Sequence, residues 1–213
     1  MKAASPLFIS FLASFYLLAA ITLTAFVKVT VVLLILRNAI GLQQVPSTMI
    51  VMALAMFLAA FISLPVFNES ARSIAEISLN FETLDQMLVA LETLVRPFQK
   101  FLSANVEPHH LEFFVQIGNQ IWEGSGLEAT PDTFLIQVPA FMISELSRGF
   151  QIGLLLYLPF IAIDLAITTI LMALGMQQVQ PSLISAPFKL LLFIFVDGWE
   201  KIIEGLLMSY NYA

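Results

Sequence analysis

A charge set in an apolar helix limits what a chain can fold into, because it has to be covered. The stretch from Ala173 to Trp199, ALGMQQVQPSLISAPFKLLLFIFVDGW, carries several in the second arm of an apolar helical hairpin. Gly175 ends one helix, a glutamine pair follows, and Pro181 cannot continue that helix. The second arm is expected to begin at Pro187, since proline suits a first helical turn. It then places Lys189, Asp197, Glu200, Lys201 and Glu204 among leucines, isoleucines and phenylalanines. Such groups are tolerable only against partners, so the hairpin is expected to assemble with copies of itself and with relatives.

The rest of the chain has the same character. Of its 213 residues 59% are hydrophobic and 11% charged, against about 25% charged in an ordinary soluble domain. With a mean hydropathy of +0.91, it reads as all-α and integral-membrane-like. Its net charge of −6 argues against a nucleic-acid partner. The absence of cysteine excludes disulfides, thiolate metal sites and thiol catalysis.

Three regions follow from the pattern. Residues 1–67 are expected to form a first apolar helical hairpin. Residues 7–36 are apolar apart from Lys28, about 45 Å as one helix and longer than one ~30 Å hydrocarbon core. Lys2 and this run imitate a signal peptide with Ala20 or Ala25 as cleavage sites. Cleavage would leave too little apolar chain before Arg37 to span a bilayer, so none is expected. A second apolar run, Met49 to Phe67, has no charge, and Pro65 is expected to kink or close it.

An internal repeat links the two ends of the chain. Ala39-Ile40-Gly41-Leu42-Gln43-Gln44-Val45 matches Ala173-Leu174-Gly175-Met176-Gln177-Gln178-Val179, and each is followed by a Pro-Ser pair. The implied picture is two hairpins pointing the same way, their tips at one level. Arg37 and Lys189 flank those tips, which places the tips on the cytoplasmic side and the intervening segment outside.

That segment, residues 68–133, is an acidic amphipathic helical insert with ten acidic and three basic residues. Ile74, Ile77, Phe81, Leu84, Leu88, Leu91, Val95, Phe98 and Leu102 step by threes and fours, one apolar stripe on a helix. The stripe fits a helix lying on its own domain or one packed on a neighbouring subunit, and Pro97 is expected to kink or end it. Glu107-Pro-His-His110 reads as a turn. Its tandem histidines invite a metal, but with no cysteine and no third ligand at useful spacing none is expected. Leu111 to Ile121 reads as a short helix, Glu123 to Pro131 as a flexible loop, and Thr130-Pro131 as a helix cap and first residue.

Residues 134–213 are expected to form the second apolar hairpin. Glu145 and Arg148 are spaced to pair on one face. Gly149-Phe-Gln-Ile-Gly153 lets helices approach closely, and Pro159 is expected to kink the helix. Folding the hairpin about residue 179 or 180 puts partners at numbers summing to roughly 359. Asp164 then lies near Asp197, and Lys189 nearer the tip, without an obvious partner. Asp197, Lys201 and Glu204 share a stripe, with Lys201 in reach of both acids. Asp164 and Lys189 are either paired across subunits or joined in an ion pair within the chain.

The motifs in order resemble one family. They are Leu36-Arg37-Asn38-Ala39-Ile40-Gly41, Ser144-Glu145-Leu146, Phe150-Gln151-Ile152-Gly153, Leu158-Pro159-Phe160 with Ile163-Asp164, Ala173-Leu174-Gly175-Met176, Pro187-Phe188-Lys189-Leu190-Leu191-Leu192 and Val196-Asp197-Gly198-Trp199. Together they resemble the SctR/FliP family of type III secretion and flagellar export. The likeness is dense from Ser144 to Trp199 and thin in the acidic insert. It implies a structural pore subunit in a roughly pentameric ring with SctS- and SctT-like (FliQ- and FliR-like) subunits, next to an SctU-like (FlhB-like) switch protein. That ring is an export gate passing unfolded polypeptides across the bacterial inner membrane, sited above the membrane plane. The family's methionine-rich bend closes the pore and maps onto Met176, Gln177, Gln178 and Val179, with glutamines where methionines are frequent. Glu145, Arg148, Asp164, Lys189, Asp197 and Lys201 become candidate charge contacts between subunits. The short N-terminus without a clear cleavable leader is more similar to the injectisome branch. No cofactor, metal or catalytic residue is implied, and no phosphate-binding loop or nucleophile–base pair is visible. The competing reading from the residues alone is a proton-coupled transporter or channel using Asp164 and Asp197.

Overall fold

A computed structural model of the chain describes residue 14 and residues 22–41, 46–76 and 84–212. The first half of the N-terminal apolar run, the glutamines of the first repeat copy and the stripe positions Ile77 and Phe81 lie outside the described residues. Among the described residues seven helices follow in order: α1 (Phe26–Ile40), α2 (Thr48–Glu76), α3 (Leu84–Asn105), α4 (Pro108–Ile121), α5 (Phe134–Ala173), α6 (Pro181–Phe195) and α7 (Gly198–Met208). Among the described residues there is no strand, and the all-α expectation holds.

Several helix boundaries differ from the sequence expectation. Pro65, Pro97 and Pro159 all lie inside helices that continue past them. Each removes one backbone hydrogen bond. On α2 that loss is set against burial of an apolar stripe, Val51, Ala55, Ala59, Ile62 and Val66. The second arm of the later hairpin starts at Pro181, not Pro187. Gln180 is extended and Pro181 occupies the first turn, where a missing N–H costs nothing; Pro187 lies within α6. The α5 start also shifts. Thr130 to Thr133 form a turn, closed by Thr133 N donating to Thr130 O at 3.0 Å, and Thr133 precedes the helix.

The chain divides into two compact units, Met1–Val27 with Ala59–Glu145 and Tyr210–Ala213, and Lys28–Leu58 with Leu146–Ser209. In the first, α3 buries Ala90, Leu94, Phe98, Phe101 and Leu102. Phe98 meets the ring of Phe67 edge-on at 5.2 Å, and Phe101 stacks on Tyr210 at 5.9 Å. The C-terminal strap is tied down by polar bonds. Asn105 Nδ2 donates to Asn211 O at 2.8 Å, and Asn211 N donates back to Asn105 Oδ1 at 3.0 Å. Tyr212 donates its hydroxyl hydrogen to Ile62 O. Gly118 sits where α4 presses on Ala129 and Ile136: a Cβ there would lie 2.7 Å from Ala129 Cβ, which has no flexible end to yield. Gly118→Ala is expected to cost about 2 kcal/mol, measured as an earlier unfolding midpoint in denaturant by circular dichroism.

In the second unit Leu36, Ala39, Ile40, Phe160 and Phe193 form a buried core, with Tyr157, Leu190 and Ile202 packed against it. The small-residue pattern on α5 does what its spacing suggests. Gly149 lies against Val31, whose Cβ would be 3.1 Å from an added methyl, and Gly153 lies against Ile35. The α1 backbone therefore comes close to α5.

Among the described residues two helices are long and apolar enough to cross a membrane: Thr48–Ala75, with mean hydropathy 2.5, and Phe134–Ala173, with mean hydropathy 2.2. The bent pair α6–α7, turning by 60° at its break, is a third candidate if taken as one span. Large apolar side chains stand exposed along them, among them Met56, Phe57, Phe61, Leu154, Leu155 and Leu165. Apolar surface on this scale marks contact with lipid or with other proteins.

Candidate functional site

The bend after α5 is built by its glycine. Gly175 has φ +73°, a conformation that glycine adopts without strain. Gly175 N donates to Met172 O at 3.1 Å, and Met176 N donates to Leu171 O at 2.9 Å. This pair of bonds is the Schellman closure, which satisfies the last carbonyls of a helix and turns the chain sharply away. A turn bond from Val179 N to Met176 O, at 3.3 Å, rounds off the tip. Met176, Gln177 and Gln178 are exposed and Val179 is half-buried, so the tip offers side chains to whatever lies beyond it.

The first repeat copy has the same device. Gly41 has φ +84° and its N–H donates to Asn38 O at 3.1 Å. Ser47 then precedes α2 and its Oγ accepts from Ile50 N at 3.4 Å. The two copies thus end their helices alike, each at its glycine, and differ in how the next helix starts.

Beneath the later bend lies a charged knot. Lys189 Nζ donates to Asp164 Oδ2 at 2.6 Å and to Ala39 O at 3.1 Å. Ser185 Oγ donates to Asp164 Oδ1 at 2.7 Å. The lysine side chain is 7% exposed and the aspartate 42%. Ala39 is one of the last residues of α1, whose end carries partial negative charge and unsatisfied carbonyls, so the ammonium is well placed there. One lysine joins the end of α1, at the first residue of the first repeat copy, to both arms of the second hairpin. The knot borders a cleft of about 350 Å³ lined by Asn38, Gly41, Tyr157, Asp164, Ser182 and Lys189.

Of the two pairings left open by the residues, the one within the chain is present here: Asp164 and Lys189 pair with each other. The hairpin pivots roughly three residues earlier than assumed, because α5 closes tightly at Gly175 and α6 starts six residues before Pro187. The pair also removes Lys189 as a loop charge in assigning orientation.

Against this geometry, the comparisons with known proteins are decisive. The model of the FliP family matches residues 8–206. The chain belongs to the FliP family. It is 44% identical to the probable translocation protein y4yL of Sinorhizobium fredii, covering 91% of this chain and 88% of that one. It is 39% identical to the harpin secretion protein HrcR of Erwinia amylovora, over 89% of this chain and 88% of the relative. It is 40% identical to the Yop proteins translocation protein R of Yersinia pestis, over 91% and 90%.

The remaining candidates of this FliP-family chain fall in different places. Glu145 is fully buried and accepts a hydrogen bond from the Tyr210 hydroxyl. The carboxylate is enclosed within the unit it shares with Tyr210. Nothing in the sequence pointed to Tyr210, 65 residues away. Arg148 is half-buried. Asp197 is exposed at the break between α6 and α7, in a left-handed conformation with φ 52°, and Gly198 follows it buried against the Phe193 ring. Lys201 is exposed. Among the described residues no ion pair joins Lys201 to Asp197 or Glu204, so that stripe leaves its charges facing outward. Ser185 was missed because a serine in an apolar helix carries no pattern; only its level with Asp164 gives it a role.

Proposed function

We propose that this chain is a structural pore subunit of a type III secretion export gate, of the injectisome branch, giving unfolded proteins passage across the bacterial inner membrane. The observation that carries this reading is family membership across residues 8–206, joined to an exposed, glycine-closed tip on the end of an apolar helix. The secretion and translocation proteins it is similar to support the injectisome branch. In this reading Met176, Gln177, Gln178 and Val179 from several copies close the pore. The exposed Asp197 and Lys201, together with Arg148, make charge contacts between subunits. The ring contains about five copies with SctS- and SctT-like subunits, and an SctU-like switch protein adjoins it. The subunit does no chemistry of its own. The rival proton-coupled transporter has less support, because Asp164 is held by Lys189 and Ser185.

The gate assignment has a direct test. Replacing Met176, Gln177 and Gln178 together by alanine is expected to raise ion conductance through the closed apparatus, read as membrane depolarisation in cells that carry all its components. Depolarisation equal to that of the parent strain counts against the tip as a seal. A second expectation concerns assembly: the purified chain alone should transport no small solute, and co-expressed with its relatives it should form a defined ring.

A further inference from the structure

The start of α4, in the acidic insert, places three metal-binding side chains together, although the sequence spacing suggested that a third ligand was missing. Glu107 supplies it. Its Oε2 lies 3.5 Å from His109 Nδ1 and 3.7 Å from His110 Nδ1. One ligand atom from each of the three residues lies within 4.8 Å of the other two. The two imidazole rings have centroids 3.8 Å apart. We propose that Glu107, His109 and His110 form a site for a divalent cation of the zinc class, with water completing the coordination.

The ring of His110 is already oriented for this. Ser144 Oγ donates to Ala140 O at 2.7 Å and accepts from Glu107 N at 3.0 Å. With its one hydrogen committed, Ser144 can only accept from His110 Nδ1, 2.9 Å away. Nδ1 therefore carries the proton, and Nε2, not the Nδ1 that lies 3.7 Å from Glu107, is the nitrogen left to bind a cation. A histidine that donates one ring N–H to a fixed acceptor and offers the other nitrogen is the usual arrangement at zinc. Two imidazoles, a carboxylate and water form a borderline-soft set that suits zinc better than magnesium or calcium. Tetrahedral zinc with bonds of about 2.0–2.1 Å needs ligand atoms about 3.3 Å apart. The His109 side chain, 69% exposed, is free to close that gap.

Electrostatics sets one term against another. A helix N-terminus repels a cation. Here the Glu107 carboxylate stands at that N-terminus, within a segment holding ten acidic residues against three basic. A direct charge a few ångströms from the ion outweighs a partial helix charge. The bound ion would pin the α3–α4 turn to α5 through His110 and Ser144.

The test uses the full-length chain purified in detergent with its affinity tag removed, titrated with zinc chloride by calorimetry, and with cobalt(II) as a visible-absorption probe. The expected result is saturable uptake of one ion per chain, with tetrahedral cobalt bands. His109→Ala, at an exposed position, should weaken zinc binding at least about tenfold, and Ser144→Ala by about 10–100-fold. Zinc should raise the melting midpoint of the parent chain and leave that of His109→Ala unmoved. No uptake by a chain with its full helical circular dichroism overturns the site. So does equal uptake by the parent, His109→Ala and Glu107→Gln.

Discussion

Asp164→Ala is expected to destabilise the unit built from Lys28–Leu58 and Leu146–Ser209 by about 3 kcal/mol, and Lys189→Met by much less. The asymmetry follows from exposure. Lys189 is nearly enclosed, so removing its carboxylate strands a buried ammonium with Ala39 O as its remaining acceptor. Asp164 is 42% exposed, so water can take over when the ammonium is removed. Ser185 keeps its bond to the aspartate in Lys189→Met and loses it in Asp164→Ala. The double variant Asp164→Ala with Lys189→Met should recover most of the loss, because a charge pair replaced on both sides leaves nothing uncompensated. Reversible unfolding in mixed detergent, followed by helical circular dichroism, gives the four stabilities. Equal single-variant costs that simply add would show that the pair contributes nothing as a pair.

The same knot shows what could be read from residues alone. Gly41 and Gly175 were recognisable because only a glycine just past an apolar run closes a helix cheaply, and both stand in left-handed conformations. The Gly149–Gly153 spacing was recognisable because both residues fall on one helix face. The partners of charged residues were not. Which level of α6 faces Asp164 depends on where α5 stops and α6 starts, and moving the pivot by roughly three residues moves that level by about six, from beside Asp197 to Lys189. Placing the α6 start at Pro187 instead of Pro181 introduced that shift. Pro65 and Pro97 could each have ended a helix and do not, for a related reason: the local cost of proline is fixed, while what holds a helix together is set by tertiary packing. Glu145 with Tyr210, and Glu107 with the two histidines, depend on side-chain direction at a turn or across a long sequence separation, which periodicity does not report.

A large steric effect is expected at Gly153. Ile35 of α1 lies over it so closely that an added Cβ would fall 3.1 Å from both Ile35 Cβ and Cγ2. These atoms sit at the root of a β-branched side chain and cannot swing aside, so the helices themselves have to separate. Gly153→Val is expected to cost about 3 kcal/mol and to lower the yield of assembled ring with its relatives. Separation at this point moves Leu36, Ala39 and Ile40 away from Phe160 and Phe193, the core that places Ala39 O against Lys189. Ile35→Ala in the same chain should restore most of the stability, since it removes the atoms that collide, while Ile35→Ala alone should be mildly destabilising. If the double variant is as unstable as Gly153→Val, the damage comes from lost glycine flexibility or from another contact, and the close α1–α5 approach is not what the small residues are for. Rescue would tie a sequence pattern to a helix crossing, and that crossing to the position of the lysine that joins the end of α1 to the second hairpin.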